Sequence, residues 1–211
     1  MLVMDGRKAL SEEDFQMGFT INTGAYAPDF RLPGVDDKEH GLADYADKKV
    51  VVLAFTCNHC PAAIGAQDRI VALQRDFGPK SVQVVAINAN EEIGHPTDSF
   101  AYMVERAKEK SFNFPYLRDK SQDVAKAYGA QRTPHFFVLD ADRKVVYNGR
   151  MDDNPYEEGK QTTHELLDAV EQVLAGQKVT VAPTEPVGCN VKWEGMDAHW
   201  MPITIADFAA R

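Results

Sequence analysis

Cys57, His59 and Cys60 follow directly on the apolar run Val50-Val51-Val52-Leu53-Ala54-Phe55, and Pro61 comes next. Two thiols at this spacing can close a disulfide, hold half of a metal site, or simply pack. The flanking residues narrow the choice. Proline is favoured at the first position of a helix, so Cys60 is expected at a helix start. Unpaired N–H groups and the positive end of the helix dipole then face its sulfur. A free thiol with a pKa of ~8.5 is only about 3% thiolate at pH 7. Lowering that pKa by ~2 units, a ~2.7 kcal/mol effect, raises the fraction to roughly three-quarters. Cys60 is therefore the candidate nucleophile. Cys57 is its candidate resolving partner, able to capture a mixed disulfide or sulfenic acid. It also fits as the small core residue ending the strand. His59 can stabilise a thiolate or carry a proton, and equally fits an exposed loop. The third cysteine, Cys189, is either a second resolving thiol or a packing residue.

The elements that must hold these residues read as alternating strands and helices. Val50–Phe55 is a central strand covered on both faces. The segment from Pro61 to Phe77 has apolar residues at helical spacing and stops at Gly78-Pro79. Val82–Asn88 is a second buried strand. Helices are expected from Ser99 to Lys110, from Ser121 to Tyr128 and from Thr162 to Ala175. Pro134–Asp140 and Lys144–Gly149 flank a turn and read as an antiparallel hairpin. Ala27–Val35 reads as a short strand, and Ser11–Asp14 as a short helix. The acidic stretch Asp152–Glu158 reads as a solvated loop. Three segments follow: an arm over 1–24, a core domain over 25–182, and a tail over 183–211 that packs on it.

Composition excludes several function classes. The chain has 211 residues and a net charge of −9, which argues against nucleic acid or an anionic membrane surface as partner. No apolar run approaches the ~20 residues that span a bilayer. The first residues lack the charged start and apolar stretch of a secretory signal. Three cysteines do not suggest a secreted disulfide scaffold. A cytoplasmic protein with reduced thiols is expected, with no cofactor and no resident metal.

The order of elements, the cysteines at the first central strand's end and Thr133-Pro134 before the hairpin resemble the thioredoxin fold. That implies an α/β, three-layer α/β/α architecture with a central mixed sheet and helices on both faces. Ala27-Pro28-Asp29-Phe30, Phe55 to Pro61 and Gly188-Cys189-Asn190-Val191-Lys192-Trp193 resemble the peroxiredoxin-like (redoxin) branch, the alkyl-hydroperoxide-reductase/thiol-specific-antioxidant superfamily. Counting from Phe55, the resemblance puts the attacking thiol at Cys60 and Ala63 at the usual resolving position. Cys57 is thus an upstream partner. Leu53 and Cys57 replace the peroxiredoxin Pro and Thr/Ser, and Pro134 stands where its arginine would be. Arg132 is the nearest substitute. The resemblance also implies that Thr133 and Pro134 form a cis-proline loop whose backbone receives an extended substrate. It matches Glu91 to a glutamate that tunes thiol pKa or relays a proton.

The implied function is thiol–disulfide oxidoreductase or antioxidant chemistry on a protein disulfide or hydroperoxide. A thioredoxin-type protein or small thiol would be the reductant, and a homodimer stays open. The competing readings are a peroxiredoxin-type peroxidase, a Cys/His metal-binding protein and a non-catalytic thioredoxin-like module.

Overall fold

The computed structural model describes residues 20–197. The helix expected at Ser11–Asp14 lies outside them. A two-stranded hairpin comes first, β1 (Arg31–Pro33) with β2 (Glu39–Gly41). The main sheet is built from β3 (Val50–Phe55), β4 (Val82–Asn88), β5 (Tyr116–Arg118), β7 (His135–Leu139) and β8 (Val145–Gly149). Its order is β5-β4-β3-β7-β8. β3 is parallel to β4 and antiparallel to β7, so the sheet is mixed.

β3 shows why the sheet is central. All six of its residues are buried. Their side chains alternate between two cores, as a strand's period of two requires. Val51, Leu53 and Phe55 point to one face, and Val50, Val52 and Ala54 to the other. On the second face, α1 (Pro61–Phe77) contributes Ala66, Ile70 and Leu73, α2 (Phe100–Glu109) contributes Met103, and α4 (Glu165–Leu174) contributes Leu166, Ala169 and Val170. On the first face, α3 (Asp123–Tyr128) packs Ala125 and Tyr128 beside Phe30, Leu42, Val191 and Trp193. Helices thus lie on both faces of a mixed sheet, a thioredoxin-like layering.

Three differences from expectation stand out. β5 and β2 were not anticipated, because strands of three residues are too short to show a period. The strand expected over Ala27–Val35 is confined to Arg31–Pro33. The acidic stretch is not simply solvated, since Asp152 is buried and its carboxylate binds the Arg69 guanidinium.

Two short strands lie apart from the sheet. β6 (Arg132–Thr133) pairs antiparallel with β9 (Cys189–Asn190), bringing Thr133 opposite Cys189 from a distant part of the sequence. Helix-spanning of a membrane is not a feature of the described residues, none of whose helices is long and apolar enough.

Candidate active site

β3 and β4 run parallel, so their carboxyl ends open on the same edge, where ligands bind in sheets of this kind. The loop after β3 carries the two cysteines. Cys60 is the N-cap of α1, in extended backbone with Pro61 at the first helical position. Both Cys57 and Cys60 are fully buried, and Cys189 is half-buried against them. None of the three is in a disulfide.

Cys60 Sγ is the centre of the arrangement. The Cys189 backbone N–H donates to it at 3.2 Å. The Thr133 carbonyl oxygen lies 3.1 Å from it on the other side. The Cys60 amide in turn donates to Cys57 Sγ at 3.4 Å, and Cys57 Sγ sits 3.2 Å from Thr133 Oγ1. The Thr133–Pro134 peptide bond is cis.

These contacts split the thiols electrostatically. A hydrogen bond from the Cys57 thiol pulls the Cys60 pKa down, against the opposing effect of burial. The Cys189 thiol and the Ala63 and Cys189 amides pull the same way, and the outcome is a pKa of about 4. The Thr133 carbonyl opposes this, since it accepts from a thiol and repels a thiolate. Four donors outweigh one acceptor, and the thiolate is the favoured form at neutral pH. Burial pushes the Cys57 thiol well up, helped by its bond to Cys60 and the charge of Asp98. Burial and Cys60 together push Cys189 up to about 11.

A titration of the ultraviolet thiolate absorbance tests this split. One thiolate is expected to persist as pH falls, disappearing only near about pH 4. Cys57→Ala removes the strongest donor and should move that midpoint upward by at least about one unit, the effect of a single charge-assisted hydrogen bond. An unmoved midpoint would show that Cys57 does not set it.

Beneath the cysteine loop lies a buried carboxylate that sequence reading missed. Asp98, fully buried, accepts from the Asn58 amide at 2.6 Å, His59 Nδ1 at 2.6 Å, Asn90 Nδ2 at 3.0 Å and Asn88 Nδ2 at 3.3 Å. It ties the Cys57–Cys60 loop to the loop after β4. Tyr116 Oη adds to this network by donating to Asn58 Oδ1 at 2.9 Å. His59 stacks on His95, with ring centroids 4.9 Å apart. His95 Nδ1 lies 2.5 Å from Glu91 Oε1. Two imidazole–carboxylate pairs therefore stand face to face at the rim.

Glu91 reaches the site only through that stack. Its carboxylate accepts from the Ile93 and Gly94 amides as well as facing His95. Arg132 is likewise committed elsewhere than to an incoming substrate. Its Nη1 donates to Gly188 O at 3.1 Å and Asn190 Oδ1 at 3.0 Å, both in the tail. Cys57 Sγ, a His59 ring nitrogen and an Asp98 oxygen lie within 4.8 Å of one another, a spacing a metal could use. Asp98 is already saturated by its four donors, so a metal there would have to displace them.

A profile of the Redoxin family matches residues 22–166, well over half of the chain. The chain belongs to the Redoxin family. This redoxin is 28% identical over 127 residues to the thiol-disulfide oxidoreductase ResA of Geobacillus thermodenitrificans, covering 59% of this chain and 67% of that protein. It is 31% identical over 110 residues to a putative peroxiredoxin bcp of Buchnera aphidicola, covering 52% and 65%. A crystal structure of a hypothetical protein from Sinorhizobium meliloti 1021 superposes with a TM-score of 0.80 at 36% identity, over 85% of the redoxin and 98% of that chain.

In this redoxin the structure brings together Cys57, Cys60, His59, Thr133, Pro134 and Cys189 from three separate stretches of sequence. Asp98 and His95 were not anticipated. Their one sequence signal was a run of polar residues after a buried strand, at the edge where the cysteines also emerge.

Proposed function

We propose that this redoxin is a thiol–disulfide oxidoreductase with Cys60 as the nucleophile and Cys57 as an inward resolving thiol. The observation that carries this reading is the position of Cys60 Sγ. It sits at a helix N-cap, beside the carbonyl of a cis-proline loop, in contact with both other thiols. Cys60 attacks a disulfide, one sulfur leaves as a thiol, and a mixed disulfide remains on Cys60. Cys57 then attacks Cys60 Sγ and releases the second half. Cys57 is a poor acid, so this step needs a base. His59, braced by Asp98, has a ring nitrogen within 4.8 Å of Cys57 Sγ and can serve as that base. The relative named a thiol-disulfide oxidoreductase supports the reading.

The relative named a peroxiredoxin favours the peroxidase alternative, but the arginines near the site do not. Arg132 grips the tail. The Nη atoms of Arg118 serve the Asn88 and Asn90 carbonyls and Glu92. Both guanidiniums are thus bonded to the protein's own acceptors. A reducing, cytoplasmic setting suits three free thiols.

Oxidised glutathione and intact-mass analysis test the proposal. In Cys57→Ser, Cys189→Ser protein, Cys60 should accumulate a stable glutathione adduct. In the unaltered chain the adduct should give way to an internal disulfide, two hydrogens lighter. If Cys60 takes up no adduct in either protein, the proposal fails.

A further inference from the structure

The backbone edge beside the cis-proline is not vacant. Residues 188–193 lie along it. β9 pairs with β6 in the antiparallel register Arg132↔Asn190 and Thr133↔Cys189. The contact is close enough to demand glycine at one point. Gly188 has φ +153°, and a Cβ there would lie 2.0 Å from the Thr133 carbonyl oxygen. Arg132 clamps the strand from the side. Further on, Val191 and Trp193 are buried in the core on the first face of the sheet, and the Lys192 amide donates to Asn90 Oδ1 at 2.8 Å. The segment is held along its whole length.

We propose that this tail is a resident substrate strand, and that external thiols exchange electrons with Cys60 through Cys189. The proposal rests on the oxidoreductase reading above and names the port through which it works. Cys60 is fully buried beneath the strand, whereas Cys189 keeps part of its surface open. The Cys189 amide and thiol both reach Cys60 Sγ, so the residue stands where the cysteine of a bound peptide would stand.

The chemistry follows from that placement. An external disulfide oxidises Cys60 and Cys189 to a shared disulfide and is itself reduced to two thiols. An incoming thiolate then attacks Cys189 Sγ. The bond between the two protein sulfurs breaks, and its electron pair leaves on Cys60. A second external thiolate attacks the external sulfur of the new mixed disulfide. The external pair leaves as a disulfide, and Cys189 departs as a thiolate that takes a proton from water. The Cys60 sulfur faces the Cys189 and Ala63 amides, which favour its thiolate, whereas burial raises the Cys189 thiol, so Cys60 is the better leaving group and attack at Cys189 is also the faster direction.

The test uses the full chain carrying Cys57→Ser, so that only the outer pair remains. Oxidation with excess oxidised glutathione should yield a Cys60–Cys189 disulfide. A brief pulse of reduced glutathione, an acid quench and peptide mapping should then find the adduct on Cys189 over Cys60 by at least about tenfold. Gly188→Ala in the same background should unseat the strand, erase that preference and speed iodoacetamide alkylation of Cys60 by about tenfold or more. Arg132→Ala loosens the same strand without a clash and should act in the same direction, which covers the case of a misfolded Gly188→Ala protein. Adduct mainly on Cys60, failure of the outer disulfide to form, or an alkylation rate unmoved by both variants would each overturn the proposal. An adduct on Cys60 in the unaltered chain, resolved by Cys57, would still leave the oxidoreductase reading standing.

Discussion

Replacing Cys60 with serine is expected to reduce exchange with a small disulfide by at least about a thousandfold. The reason is chemical. Serine's hydroxyl does not ionise at neutral pH, and neither remaining thiol can substitute. Cys57 and Cys189 both have raised pKa values, and both serve Cys60 in the structure. The fold should hardly notice. The new hydroxyl can donate to the Thr133 carbonyl and accept from the Cys189 amide, as the sulfur does. Urea denaturation should therefore shift by less than about 1 kcal/mol. Stopped-flow exchange with an aromatic disulfide measures the first quantity. Residual exchange above a tenth of the original rate would move the nucleophile to another cysteine.

Asp98→Ala is expected to have the opposite profile, a large loss of stability. Removing the carboxylate leaves the Asn58 amide and two asparagine amides buried without their acceptor, and half-buried His59 without its partner. Loss of a buried charged partner costs about 3–5 kcal/mol. The cysteine loop would lose its tie to β4 at the same time. Asp98→Asn separates the charge from the shape. Burial alone would raise the Asp98 pKa, but the bonds from His59, Asn90 and the Asn58 amide bring it below 3.8. The folded-state pKa is thus depressed. Its stabilising contribution is fully present above the unfolded value near 3.8 and is lost as pH falls through the folded value. The stability gap between the unaltered protein and Asp98→Asn should hold constant above about pH 5 and narrow steadily below pH 4. A gap that stays flat across the acid range would show that Asp98 carries no depressed pKa.

How far the site was legible varied with the length scale of each signal. Phe55, Cys60 and Pro61 sit within one strand-to-helix turn, and local rules are enough to put a thiol at the helix start. Thr133-Pro134 was readable only through the family resemblance, because no local rule makes that bond cis. Asp98 was not readable at all. It reaches the cysteine loop from 40 residues away, in a loop with no period, and its role exists only once β3 and β4 lie side by side. Glu91 and Arg132 were picked out as residues near the chemistry, yet one shapes its own turn and the other grips the tail. Sequence shows which charges are near the strand ends. It does not show which of them the backbone claims first. The tail motif from Gly188 to Trp193 stood out as a pattern, but its seat against β6 depends on pairing between distant segments.

That seat has a quantitative consequence for any rival. The tail is tethered to α4 through the connection that follows Leu174, so it meets β6 at an effective concentration on the order of millimolar, whatever the protein concentration. A free peptide making the same backbone contacts must match that value before it displaces half of the tails. Weak, non-specific strands are therefore outcompeted by a neighbour that never diffuses away, and selectivity arises from a tether as much as from a surface.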